Sequence, residues 1–383
     1  MLRRILLIFF GLVIGLLVAE GGLRWFGGLL PEGLRYRAGL AQFHAQMDGI
    51  YVPDPYLWQK SVPGIDRTIT GHPDYDFHVR TNSLGYEGIG FRDDGVSDPA
   101  PIIAVGDSFT WGDGIDNNKT WVERLEMESG RDVVDLGMSG YGSQQILRLL
   151  QKYGLPLKPR LILWAFFPND FYDAGHFAWR EETGRLAKLA KPEASPAWTE
   201  TLDRELRIYS VAYTWLVSPF DEPDDNEEYE RLVYSDATLD LTFVLRSYWG
   251  KRLDPGDKYT GPGLVYTQQA LAEANTAARQ VNAELVVLLF PSKEQVYWPI
   301  ASTLVEDAAA FKVNWPHDEV RAWCEANGVA YLDLTPVFAG QASQGKQLYY
   351  RFDAHWNEAG HELAAQTIRR YLAENTPFLA TSE

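Results

Sequence analysis

The sequence predicts an α/β fold of three layers, a parallel sheet flanked by helices, with an inserted segment and an N-terminal transmembrane helix. Three observations carry this expectation. Between residues 101 and 170, and again beyond 265, short β-branched runs alternate with amphipathic stretches, the rhythm of strand–helix–strand units with right-handed crossovers. Each run is apolar throughout rather than alternating, as strands covered on both faces are. The chain also opens MLRRILLIFFGLVIGLLVAEGGLRWFG, two arginines before an unbroken apolar run.

Residues 1–30 read as a membrane anchor. The apolar run at 5–19 gives only about 22 Å of helix against a hydrocarbon core of about 30 Å. Leu23, Trp25, Phe26, Leu29 and Leu30 extend it, and Glu20 can pair with Arg24 at i,i+4. A cleaved signal peptide is the rival reading; the lack of a small-x-small cleavage site favours an uncleaved, single-pass anchor. Arg3 and Arg4 then face the cytoplasm and the remaining bulk lies on the extracytoplasmic, periplasmic side of a bacterial membrane. Residues 31–100 form an irregular lead-in with short strands, one near residues 76–81. His72 and His78 lie there with no third ligand in sight, so they read as structural or surface residues rather than a metal site.

Residues 101–375 form the main domain. PIIAV is its first strand and ends at Gly106-Asp107-Ser108. TWVERLEMES is an amphipathic helix closed by Gly130. RDVVDLG is the second strand, running into Gly140, and SQQILRLLQKYG is a helix ended by Gly154. RLILWAFF is the third strand and ends at Asn169-Asp170. The rhythm then lapses at about 171–265, an insertion that can fold over the site as a lid. Its run DEPDDNEEYE at 221–230 has seven acids in ten residues and reads as a solvated loop. A helix, a strand in AELVVLLF, the helix HDEVRAWCEAN and a fifth strand in VAYLDL follow. The last helix runs from about Glu358 to Glu374, with Asn357 as N-cap.

Composition excludes several functions. The chain of 383 residues carries a net charge of -17, so nucleic acid is not an expected partner. Its one cysteine, Cys324, precludes a disulfide or a thiolate metal site within the chain and reads as a buried small side chain. There is no GxSxG elbow, no GxxxxGK[ST] loop and no GxGxxG after the first strand. No metal or cofactor is expected. Most of the 13 tryptophans read as core.

Sites in such sheets lie at the C-terminal strand ends, which are where Ser108, Gly140 and Asn169 fall. Asp353 and His355 follow the fifth strand. A serine nucleophile needs a general base, and the base needs a carboxylate to fix its tautomer. Asp353 and His355, two apart, would project to one side of an extended stretch, leaving the second imidazole nitrogen for Ser108. The Ser108 and Gly140 backbone N–H groups and the Asn169 amide can supply an oxyanion hole. His361 is the rival base, but it falls inside the last helix. Asp107 and Asp170 read as supports of their turns. Lys293 and Glu294 read as surface residues beside the site.

These blocks resemble the SGNH hydrolases, a branch of the GDSL esterase and lipase superfamily. Gly106-Asp107-Ser108-Phe109 resembles the first block, with Phe109 in place of Leu. Gly140 falls at the second block's glycine, and Asn169-Asp170 resembles the end of GxND, with Phe167 in place of Gly. Asp353 and His355 resemble the last block, with DxH in place of DxxH. The DxHW form is familiar in alginate O-acetyltransferases, which carry it before the serine; here it comes after. The resemblance covers about 100–375 and implies a flavodoxin-like fold. It implies ester hydrolysis by Ser108, His355 and Asp353, with Ser108, Gly140 and Asn169 holding the oxyanion and an acylated (acetylated) carbohydrate as substrate. O-acyl transfer to an envelope or exported polysaccharide, a catalytically inactive binding module, and lipid hydrolysis at the membrane surface stay open.

Overall fold

Two small hairpins precede the main sheet. Strands β1 (Tyr51–Asp54) and β2 (Trp58–Ser61) pair antiparallel, as do β3 (Asp66–Ile69) and β4 (Phe77–Arg80). The computed structural model describes residues 2–29, 31–190, 198–220 and 231–376. The central sheet takes β5 (Ile102–Val105), β6 (Val133–Asp135) and β7 (Leu161–Phe166). After the hairpin β8 (Leu232–Ser235) and β9 (Asp240–Phe243), it adds β10 (Glu284–Leu289) and β11 (Ala330–Asp333). Its order is β11-β10-β7-β5-β6, and every pairing is parallel.

The unbroken apolar runs have a physical cause in the layers. Ile102 and Ala104 of β5, with Leu161, Leu163 and Ala165 of β7, face one core. Ile103 and Val105, with Ile162, Trp164 and Phe166, face the other. Helices Trp121–Ser129 and Glu358–Asn375 cover the first face. Helices Ser143–Leu149, Thr260–Gln280 and Trp315–Asn327 cover the second. Both faces are therefore dry, which removes the alternation a half-exposed strand would show.

Caps fall where the sequence placed them. Gly130 closes its helix at φ 63°, and the Asn357 side chain accepts from Gly360 N at 3.1 Å. The chain leaves β5 toward β6 on one side and returns to β7 on the other, so the order reverses between β5 and β7. A crevice opens beyond the strand ends at such a reversal, and the site lies there.

The segment 171–265 is more regular than expected. Helix Asp170–Glu182 occupies its start, helices Trp198–Tyr209 and Val211–Val217 its middle, and the next long helix begins at Thr260. Helices Asp170–Glu182 and Thr260–Gln280 pack on each other. Gly263 permits it, because a methyl group there would overlap the Phe171 carbonyl. The acidic run at 221–230 lies outside the described residues.

The N-terminal segment Leu2–Phe26 is a helix, but among the described residues no helix is long and apolar enough to cross a membrane. The expected transmembrane helix is therefore not supported. Glycines and the Glu20–Arg24 pair interrupt its second half. Glu20 bonds Arg24 at 2.7 Å and also accepts from Ser210 Oγ, Val211 N and Ala212 N at 2.9–3.1 Å. The end of the segment thus caps helix Val211–Val217, a protein contact.

Candidate active site

Ser108 opens a single helical turn, Ser108–Trp111, directly after β5. Asp107 caps that turn, its Oδ1 accepting from Phe109 N at 3.0 Å. The Ser108 Oγ lies 2.7 Å from His355 Nε2, and His355 Nδ1 lies 2.5 Å from Asp353 Oδ1. The three residues form one relay. The i,i+2 contact arises from a turn, not from an extended stretch: Asp353 Oδ1 also accepts the His355 backbone N–H at 2.8 Å. That Asx-type closure holds carboxylate and imidazole together. Asn169 follows β7, and Gly140 sits at φ +76° in the loop after β6, a left-handed conformation that favours glycine. Both line, with Ser108 and His355, a cleft of about 640 Å³. Asn169 Oδ1 is buried with no hydrogen-bond partner, so the fold makes no use of that oxygen.

The lead-in segment supplies contacts the sequence did not disclose. Tyr75 donates its hydroxyl to Asp353 Oδ2 at 2.7 Å. His72, its side chain 6% exposed, stacks on Tyr75 at 3.9 Å between centroids and places Nε2 3.7 Å from the same oxygen. Its Nδ1 accepts from Asp74 N at 3.2 Å, which puts the ring proton on Nε2, facing Asp353. Asp74 Oδ2 in turn accepts from Phe352 N and Asp353 N, each at 2.8 Å. His72 therefore belongs to the site's surroundings. His78 stays on the exposed hairpin, paired with Asp66 at 2.9 Å. Among the described residues no cluster of His, Cys, Asp or Glu could hold a metal ion.

The charges are strongly coupled. Burial opposes ionisation of Asp353, but His355, then His72 and the Tyr75 hydroxyl, hold its pKa far below the usual carboxylate range. Burial likewise opposes the His355 imidazolium; Asp353, with Asp113 and Asp107, outweighs it and raises the pKa to about 9. Asp113 is a further acid missed in the sequence, accepting from Ser139 Oγ at 2.7 Å on the cleft wall. Asp107 and Asp170 are buried and Asp173 is half-buried, and desolvation is the main cause of their raised pKa values: about 7 for Asp107 and about 6 for Asp173.

Two departures from the family pattern compensate each other. Phe109 and Phe167 stack with ring centroids 4.2 Å apart, and His355 rests on Phe109 at 4.9 Å. Trp356 is fully buried beside Phe109 and Phe290. His361 is buried, accepts from Trp121 N at 3.2 Å, and burial first, then Arg92, lowers its pKa to about 3; it lies apart from Ser108. Lys293 and Glu294 are buried, contrary to their surface reading. Lys293 Nζ donates to Thr242 O at 3.3 Å and Arg351 O at 3.0 Å, tying β9 to the loop that carries Asp353. Cys324 is fully buried, and burial pushes its thiol to about 12.

Residues 257–383 match a family model described as an SGNH hydrolase-like domain, acetyltransferase AlgX. The matched part holds Asp353 and His355, and the fold brings Ser108 to them. The match to the SGNH hydrolases thus lies in the C-terminal part of the chain. Solved structures similar to it include a lipolytic protein of the G-D-S-L family from Desulfitobacterium hafniense, 12% identical with a TM-score of 0.38, covering 71% of this chain and 98% of that one. A catalytic mutant of an acetylxylan esterase from Geobacillus stearothermophilus is 11% identical with a TM-score of 0.38, covering 72% and 94%. A GDSL-like lipase from Bacteroides thetaiotaomicron is 12% identical with a TM-score of 0.35, covering 72% and 89%. No curated protein matches the chain.

Proposed function

We propose that this protein is an SGNH-type serine ester hydrolase acting on acyl esters of carbohydrate, acetyl esters among them. The observation that carries the reading is the continuous relay Ser108–His355–Asp353, at 2.7 and 2.5 Å. Neutral His355 takes the Ser108 proton as Oγ attacks the ester carbonyl. Asp353 steadies the imidazolium. Donors at Ser108, Gly140 and Asn169 hold the oxyanion. Collapse expels the alcohol, which leaves with the proton from Nε2, and an acyl-enzyme remains. Water then gives its proton to Nε2, attacks the acyl carbon, and the proton returns to Ser108.

A second reading has a sugar hydroxyl replace water, giving O-acyl transfer; the acetyltransferase family match over 257–383 favours it. We place the domain on the periplasmic side of the cytoplasmic membrane, a proposal supported by Arg3 and Arg4 ahead of the apolar run. The test uses p-nitrophenyl acetate with the wild type, Ser108→Ala and His355→Ala. Hydrolysis lost in both variants supports the reading. A silent wild type, or undiminished variants, rejects it in favour of an inactive binding module.

A further inference from the structure

Asp353 receives more donors than the relay needs. Its Oδ1 takes both His355 donors, Nδ1 at 2.5 Å and the backbone N at 2.8 Å, and that side of the carboxylate is the one the chemistry uses. Its Oδ2 is met from one short stretch of the lead-in. Tyr75 donates to it at 2.7 Å, and His72 Nε2 stands 3.7 Å away. The second contact is longer than a direct hydrogen bond. It is a dipole set against a charge.

The His72 ring is aimed from several sides. Nδ1 accepts from Asp74 N at 3.2 Å, which leaves the proton on Nε2. One face lies on Tyr75 with 10° between the ring planes, and Phe43 packs edge-on against both rings at 5.1 and 6.0 Å between centroids. The stretch closes on itself, because Gly71 N donates to Asp76 Oδ1 at 3.0 Å. Helix Glu32–Met47 holds it in place through Gln46, whose Nε2 donates to Thr70 O at 2.7 Å. Asp74 Oδ2 accepts from Phe352 N and Asp353 N, each at 2.8 Å. The imidazole cannot swing away from Asp353 without breaking this set.

His72 also carries no charge at neutral pH. Burial first lowers its pKa; Asp353 and Asp74 act against burial, and His355 and His44 act with it. A cation at Oδ2 would offset the negative charge that His355 feels. An uncharged N–H orients the carboxylate and leaves that charge in place.

We propose that His72 is a positioning residue of the relay: its Nε2–H, facing Asp353 Oδ2, keeps the carboxylate turned so that Oδ1 stays on His355 Nδ1. This rests on the ester-hydrolase reading above. It makes the lead-in a working part of the site rather than a spacer before the sheet.

Two variants separate the N–H from the rest of the side chain. Both lose the acceptor of the Asp74 N–H. His72→Phe keeps a ring on Tyr75 and has no donor; His72→Gln gives up the ring and carries an amide N–H to the same reach. With p-nitrophenyl acetate, kcat should fall about three- to tenfold in His72→Phe, the effect of one ordinary hydrogen bond, with KM little changed. His72→Gln should recover most of that loss. An unchanged kcat in His72→Phe, or an equal or larger loss in His72→Gln, overturns the proposal and leaves the esterase reading standing. A wild-type measurement covers the case of misfolded variants. NMR of isotope-labelled histidines at neutral pH should show His72 uncharged with its proton on Nε2; a proton on Nδ1, or a charged ring, overturns the proposal. If the wild type cleaves no ester, the esterase reading fails, and the His355 Nδ1 proton is followed by NMR instead. Its exchange with water should quicken in His72→Phe and not in His72→Gln. Equal exchange in all three proteins overturns the positioning role.

Discussion

Replacing Asp353 by Asn keeps the side-chain shape and one amide oxygen but removes the charge that dominates the His355 equilibrium. In the wild type, Asp353 overcomes the burial penalty and lifts the His355 pKa to about 9. Without that carboxylate, burial is left as the main influence, and the pKa should fall to the ordinary value of about 6.5 or lower. The drop of about 2.5 units corresponds to about 3 kcal/mol. The sign follows from the role: His355 must be neutral to accept the Ser108 proton. Wild-type kcat/KM should therefore rise with pH through a limb near 9. In Asp353→Asn the limb should move below 7. The plateau should fall by about 10²–10⁴, because the amide can present its N–H to Nδ1 and select the wrong tautomer. The assay is kcat/KM for p-nitrophenyl acetate between pH 5 and 10, corrected for spontaneous hydrolysis. An unmoved limb in Asp353→Asn, with the fold intact by circular dichroism, would refute the coupling.

Tyr75→Phe removes the 2.7 Å bond to Asp353 Oδ2. A hydrogen bond to a charged group contributes about 1.5–3 kcal/mol, so kcat should fall about tenfold or more while KM barely changes. A change confined to KM would argue against a positioning role. Phe167→Ala removes one ring of the stack under His355 and should lower stability by about 3–5 kcal/mol in urea denaturation. A loss below about 1 kcal/mol would show that the Phe109–Phe167 pairing does not support the floor of the site.

The sheet was legible because burial on both faces leaves an unbroken apolar run, as in β5 and β7, and because strand ends fall at Gly106 and Asn169. Ser108, His355 and Asp353 could be named from the chemistry they offer together. Their surroundings could not. His72, Asp74 and Tyr75 lie about 280 residues before Asp353 in the chain, and no periodicity marks that approach. The turn joining Asp353 to His355 depends on a side chain accepting from the backbone, which residue spacing alone does not reveal. Lys293 looked like a surface residue, yet two backbone carbonyls satisfy it in the interior. The sequence TGPG at 260–263 read as insertion and is instead the start of a helix. Proline is tolerated in a first turn, and Gly263 is there for the close approach of Phe171 O.

The most direct test of the nucleophile is covalent. The folded protein would be treated with a fluorophosphonate, and the adduct located by intact mass and peptide mapping, beside His355→Ala. One adduct on Ser108, forming at least about a hundredfold more slowly in His355→Ala, is the expected result. No adduct, or one on another residue at an unchanged rate in the variant, would contradict a Ser108 nucleophile activated by His355.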